Sequence, residues 1–281
     1  MRNFGRCLLY VLLVKTLFSF LFTDAYRLLS NPNGRKFLWL LLTSAGTRRN
    51  QTTTLTYDGL RFQTPDSLMF FWQVKEIFVD ESYAFPATSS EPVIIDCGSN
   101  IGTSVVYFSR YYPKARIIAF EADAATARTL RYNLTANGVA NVEVIEKAVW
   151  TDNEGVDFGS AGDDVSSVYV ATNVNHVPSV RFRDVLKQYP RIDMLKIDIE
   201  GAENPVLADC RYALGHVQNL FIEYHAYIGQ PQTLPELLDI LKDSGFRYYI
   251  DTAQHRTKPL VNRQYRGNTV MDLQLTIFAY R

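Results

Sequence analysis

Three short runs carry the residues whose types and spacing could do chemistry. The first is Asp96-Cys97-Gly98-Ser99-Asn100-Ile101-Gly102, an acid followed by two glycines with an asparagine between them. Such a turn brings backbone N–H groups close to a small ligand, because glycine removes the side chain that would hold the ligand away. The second is Phe120-Glu121, an acid placed to accept hydrogen bonds from the sugar hydroxyls of a nucleotide-like ligand. The third combines Lys196-Ile197-Asp198-Ile199-Glu200-Gly201-Ala202-Glu203 with Glu223-Tyr224-His225. A histidine with a near-neutral unperturbed pKa can take a proton from a hydroxyl, and the carboxylates can orient it, hold an ammonium group or bind a hard cation.

These residues need elements to hold them. Val93-Ile94-Ile95 reads as a buried parallel strand, 103–110 as a helix with Ile101, Val105 and Phe108 on one face, and 116–120 as a second buried strand. Strand, glycine turn, helix and strand make half of a nucleotide-binding unit. A dinucleotide fingerprint is G-x-G-x-x-G, whereas this run is D-x-G-x-N-x-G, a pattern suited to S-adenosylmethionine. Beyond it the spacing predicts a helix at 124–137 ended by Asn137-Gly138, a third strand at 142–149, and a polar insertion at 151–182. The insertion holds strand-like runs at 156–158 and 167–170, and its loop 159–164 is flexible enough to act as a lid. Further strands are expected at 194–199, 220–224, 246–251 and 273–280, and a helix at 234–244 opened by a Thr233/Glu236 capping box. Period-two alternation sends Lys196, Asp198 and Glu200 to one side of the fourth strand and pairs Glu223 with His225 on the fifth. Upstream, 52–56 and 60–63 flank a Tyr57-Asp58-Gly59 hairpin turn, and 67–78 reads as an aromatic-rich helix. Phe70, Trp72, Asp80, Glu81 and Tyr83 could line a substrate entrance, with packing and surface the preferred reading.

The run Ile192-Asp193-Met194-Leu195-Lys196-Ile197-Asp198-Ile199-Glu200-Gly201-Ala202-Glu203 resembles the LKID-EGAE signature of the FkbM family of S-adenosylmethionine-dependent methyltransferases. The D-x-G-x-N-x-G opening, Phe120-Glu121 and Phe221-Ile222-Glu223-Tyr224-His225 follow the family pattern in order, and the resemblance covers residues 91–281. It implies a doubly wound, mostly parallel seven-stranded α/β sheet of class I methyltransferase type. An N-terminal helical segment (1–50) and a small hairpin–helix cap (51–90) would precede the methyltransferase domain (91–281). It also implies S-adenosylmethionine-dependent O-methyl transfer to a hydroxyl of a sugar, glycan or other polyol. The expected cofactor contacts are Asp96, Gly98, Asn100, Gly102, Glu121 and Asp198, and the expected catalytic residues are His225, Asp198 and Glu223. His225 is the preferred general base. A divalent metal is the less favoured mechanism, with Asp198, Glu200 and Glu223 as its ligands. Lys196 reads as an ion-pair partner, and Glu200 and Glu203 as either functional or helix-start charges. The rival readings are a nicotinamide-dependent oxidoreductase and a non-catalytic membrane-associated binding protein.

Bulk properties narrow the classes. Lys+Arg and Asp+Glu are both 29 in 281 residues, so no basic excess points to nucleic acid, and 47% hydrophobic residues support a substantial core. The three cysteines have no metal or redox spacing and read as free thiols in a reducing compartment, which places the protein in the cytoplasm or on the cytoplasmic face of a membrane. Residues 7–22 and the run Phe37–Leu42 are apolar with basic flanks. They suit core packing, a homodimer contact or a peripheral membrane anchor, with a signal peptide as a further option. Asn50-Gln51-Thr52 and Asn133-Leu134-Thr135 match the glycosylation triplet.

Overall fold

The computed structural model describes residues 26–44, 46–47, 51–160, 166–167, 175–252, 256–263 and 270–281. The chain forms two compact units, residues 1–82 and 83–281, where three segments bounded at 50 and 90 were expected.

In the first unit, Asn31 caps α1 (Pro32–Thr43), whose Phe37 and Leu40 are buried. Strands β1 (Thr53–Tyr57) and β2 (Leu60–Thr64) form the expected hairpin. Asp58 and Gly59 at its tip have φ of 50° and 81°, the geometry a two-residue turn of the primed type demands. Asp66 caps α2 (Ser67–Val74), which runs on as a π-helical turn over Lys75–Val79 rather than as one regular helix. The Asn33 side-chain amide donates to Phe78 O and the Tyr57 hydroxyl donates to Asn33 O. These bonds join α1 to the same body as the hairpin, so the expected boundary at residue 50 does not separate them. Phe70 is buried, Asp80 pairs with Arg27 and Lys75, and Trp72 is exposed, in keeping with packing and surface roles. The apolar run 7–22, the basic pair 48–49 and Asn50 lie outside the described residues. Among the described residues, no helix is long and apolar enough to cross a membrane.

The second unit alternates strand and helix: β3 (Val93–Cys97), α3 (Thr103–Tyr111), β4 (Arg116–Phe120), α4 (Ala124–Ala136) and β5 (Val142–Ile145). Short β6 (Ala148–Trp150), β7 (Val156–Ser160), β8 (Ser166–Ser167), β9 (Asn175–Val177), β10 (Ser179–Arg181) and α5 (Phe182–Leu186) follow. Then come β11 (Ile192–Ile197), α6 (Glu203–Cys210), β12 (Val217–Tyr227), α7 (Leu234–Asp243), β13 (Arg247–Asp251) and β14 (Met271–Tyr280). Seven strands build one sheet in the order β13-β14-β12-β11-β3-β4-β5, with β14 antiparallel to both its neighbours and the remaining pairs parallel. The doubly wound, mostly parallel class I expectation is met. Every residue of β11 is buried, and Ile95, Ile118, Leu195, Ile197 and Ile222 belong to one continuous core.

Local departures have local causes. The expected third strand at 142–149 breaks at Glu146-Lys147, after which β6 leaves the main sheet to pair with β10. The fourth strand ends at Ile197, and beyond it the chain turns at Glu200 and Gly201, with φ of 54° and 99°. Thr233 makes no side-chain cap, and its own N–H donates to the Tyr224 hydroxyl instead. Within the insertion, β8, β7 and β9 make a small sheet. Most of the expected lid loop, and most of the strand-like run at 167–170, lie outside the described residues. Asn133 is wholly buried and donates to Ile101 O, so it is closed to glycosylation. Cys97 and Cys210 are free and buried, while Cys7 lies outside the described residues.

The chain leaves β3 toward β4 and β5 on one side and returns to β11 and β12 on the other. The tips of β3 and β11 therefore flank the topological switch point, where open α/β sheets bind ligands.

Candidate functional site

The switch point is built by a turn with no room for side chains. Gly98 has φ of 80°, and a Cβ there would stand 1.8 Å from Asp198 O. Gly98 N–H and Ser99 N–H both donate to Phe120 O, at 3.0 and 2.9 Å, and Asp198 N–H donates to Cys97 O at 3.1 Å. The turn is thus fastened to the strands on both sides of it. Asn100 follows with φ of 49°, its N–H donating to Glu121 Oε2 at 2.8 Å. Glu121 accepts a second bond from Asp123 N–H at 2.9 Å. Burial pushes the Glu121 carboxyl up to about 7 despite those two bonds. Gly102, with φ of 87°, starts α3, and a Cβ there would press on Leu130 of α4 at 3.2 Å.

Gly98, Asn100, Gly102 and Glu121 come together as expected, while Asp96 lies behind them. It is wholly buried, accepts from the Ser104 hydroxyl through Oδ2, and keeps Oδ1 without a hydrogen bond, 3.3 Å from Lys196 Nζ. Lys196 is the expected ion-pair partner. Its Nζ is also 3.3 Å from Asp198 Oδ2 and donates to Gly98 O at 2.9 Å. Burial alone would lower the Lys196 pKa, but Asp96, Asp198 and Glu223 outweigh it and hold the ammonium charged. Ser104 was not foreseen. Its place on the first turn of α3 was the available signal.

A second cluster stands on β12 and the start of α6. His225 has a side chain only 2% exposed, with Nδ1 3.1 Å from Glu203 Oε1. Its Nε2 faces Glu200 Oε2 at 3.7 Å and Glu223 Oε1 at 3.8 Å. Burial would lower the histidine pKa, but Glu200, Glu203 and Glu223 together raise it well above its ordinary value. Glu203 is held in turn by Gly201 N–H, 3.0 Å from each of its oxygens, and by Ile199 N–H at 3.2 Å. The Tyr227 hydroxyl donates to Glu200 at 3.4 Å. Donor atoms of Asp198, Glu200 and His225 lie within 4.8 Å of one another. Asp198 and Glu223 thus each lie beside His225. The tie from Glu203 to His225 was missed, since it joins two elements far apart in the chain. A cavity of about 220 Å³ opens beside this cluster, lined by Glu203, Asn204, Tyr224, His225, Tyr227 and Gln230 among others. Asn204 Oδ1 is buried without a hydrogen bond.

The model of the methyltransferase FkbM domain matches residues 96–248, a span that starts at Asp96 and takes in both clusters. Among curated relatives, Methyltransferase 1 of Beauveria bassiana is 29% identical over 159 residues, 47% of this chain and 64% of that protein. The 2-O-methyltransferase NoeI of Sinorhizobium fredii is 28% identical over 176 residues, 54% of this chain and 71% of that protein. The hexuronic acid methyltransferase AglP of Haloferax volcanii is 23% identical over 218 residues, 73% of this chain and 86% of that protein. The domain match runs across more than half of the chain and through the residues that line the switch point, and on that ground the chain belongs to the FkbM methyltransferase family.

Proposed function

We propose that this protein transfers the methyl group of S-adenosylmethionine to a hydroxyl oxygen of a sugar, glycan or similar polyol. The observation that carries the reading is the pairing of two unlike clusters on one sheet edge. Glu121 stands on the β4 side of the Gly98 turn, and the carboxylate–histidine group stands on the β11–β12 side. A cofactor laid across the turn would have its ribose hydroxyls at Glu121, the backbone of Gly98, Asn100 and Gly102 beneath it, and its methionyl end near Asp198. Asp96 would act from behind, through Lys196 and Ser104.

Methyl transfer is an in-line displacement. The carbon–sulfur bond breaks with its electron pair going to sulfur, the oxygen–carbon bond forms, and the hydroxyl proton must leave. His225 was the expected acceptor of that proton. Both of its ring nitrogens face carboxylate oxygens, an arrangement that favours protons on the ring. The accepting group in this proposal is therefore the Glu223 carboxylate, with Asp198 and His225 positioning the hydroxyl. The cavity beside His225 supplies an acceptor pocket of the right character. Tyr224 and Tyr227 line it with Asn204 and Gln230, the mix of aromatic and polar side chains that suits a sugar. The names of two relatives, a 2-O-methyltransferase and a hexuronic acid methyltransferase, support oxygen as the acceptor atom and a sugar as its carrier. The family match leaves the nicotinamide-dependent reading without support.

The test is an assay with methyl-labelled S-adenosylmethionine and a panel of monosaccharides, hexuronic acids and oligosaccharides. Glu223→Gln is expected to lower turnover at least ~100-fold while cofactor affinity holds. Undiminished turnover in that variant would remove Glu223 as the proton acceptor.

A further inference from the structure

We propose that Asp198, Glu200 and His225 bind a divalent first-row cation of the manganese(II) type at the tips of β11 and β12. The imidazole marks the site more than the acids do. Its side chain is 2% exposed, and Nε2 makes no hydrogen bond, pointing into a gap between carboxylates 3.7 and 3.8 Å away. Those separations are too long for hydrogen bonds. The 3.7 Å between His225 Nε2 and Glu200 Oε2 suits two ligand atoms on one ion, each about 2.0–2.2 Å from it. The other nitrogen, Nδ1, is tied to buried Glu203 at 3.1 Å, and Glu203 is fixed by the N–H groups of Ile199 and Gly201. A metal-binding histidine commonly has its second ring nitrogen held by a carboxylate in this way, which sets ring orientation and the tautomer.

The donor atoms of all three residues lie within 4.8 Å of one another. Asp198 and Glu200 are only partly buried, so small side-chain rotations can close the set around an ion. One imidazole and two carboxylates form a mixed donor set, and this differs from the oxygen-only set expected from sequence, with His225 replacing Glu223. Mixed nitrogen and oxygen ligands favour manganese, iron or zinc over magnesium, which prefers oxygen and retains its water.

The use of the ion rests on the methyl-transfer reading, though its binding does not. A Lewis acid at this point would lower the pKa of an acceptor hydroxyl, with Glu223 as the group that removes the proton. The experiment is a manganese(II) titration of the full-length, chelator-treated protein, followed by the electron paramagnetic resonance of free manganese. One site per chain is expected. Glu200→Gln and His225→Gln should each weaken it at least ~10-fold, and Glu121→Gln should leave it unchanged. Circular dichroism reports whether the buried His225 variant folds, and the more exposed Glu200 variant carries the test if it does not. Failure of the wild type to take up manganese, or equal affinity in the folded ligand variants, would overturn the site. If cofactor binding and methyl transfer persist in that case, the methyltransferase reading survives alone. Manganese uptake that follows the variants in a protein that transfers no methyl group would uphold the site and remove its assigned use.

Discussion

Glu121 accepts N–H bonds from Asn100 and Asp123, yet burial pushes its pKa up to about 7. Its protonation near neutral pH therefore depends on what lies against it. Ribose hydroxyls donate to the ionised form, so binding should release a proton wherever Glu121 is protonated in the free protein. Cofactor affinity is predicted to rise with pH through about 7. The sign for the fold is the reverse. A raised carboxyl pKa contributes stability that is full below the unfolded value of 4.5 and is lost as pH rises through about 7. Glu121→Gln should weaken cofactor binding by roughly 1.5–3 kcal/mol at alkaline pH and flatten the dependence. Calorimetry across that range would decide, and a flat wild-type profile would remove Glu121 from the ribose. The identity of Glu121 was legible because it closes a β-branched strand. The state of His225 was not, because Glu200, Glu203 and Glu223 reach it from β12 and the start of α6. Only the fold brings these acids around one ring.

At the scale of elements, the site depends on how closely the tips of β3 and β11 approach. Gly98 makes that approach, since a Cβ would meet Asp198 O at 1.8 Å and the φ of 80° strains other residues. Gly98→Ala is predicted to force the two tips apart, lowering stability by ~2 kcal/mol or more and abolishing cofactor binding. Thermal unfolding with and without cofactor checks this, and an unchanged melting temperature would contradict it. The same elements show where sequence patterns succeed. Buried strands announced themselves by β-branched runs ending at turn residues, as in Val93-Ile94-Ile95 before Gly98. The third strand was read too long because apolar Ala148-Val149 follow closely on 142–145, and the polar break at Glu146-Lys147 was passed over. Only pairing shows that Ala148 N–H donates to Pro178 O and leaves the sheet. The Thr233 capping signal failed because its backbone, at φ −104° and ψ 19°, is not in the extended conformation that aims an N-cap side chain at the helix N–H groups.

At the scale of the whole molecule, the chain carries two units, of which residues 83–281 hold the seven-stranded sheet and both clusters. Composition limited the classes but could not set the division at 82, because the bonds from Asn33 and Tyr57 that tie α1 to the hairpin unit are tertiary. It could not name the acceptor either, since a cavity walled by Tyr224, Tyr227, Asn204 and Gln230 assembles from β12, α6 and the loop after β12. The activity proposed for the molecule is methyl transfer to oxygen. The direct measurement is incubation with carbon-13-methyl S-adenosylmethionine and a sugar acceptor, followed by nuclear magnetic resonance of the product. A labelled methoxy carbon on a sugar hydroxyl is the result predicted here. A labelled methyl on nitrogen or ring carbon, or no transfer to any hydroxylated acceptor by a protein that binds the cofactor, would contradict it.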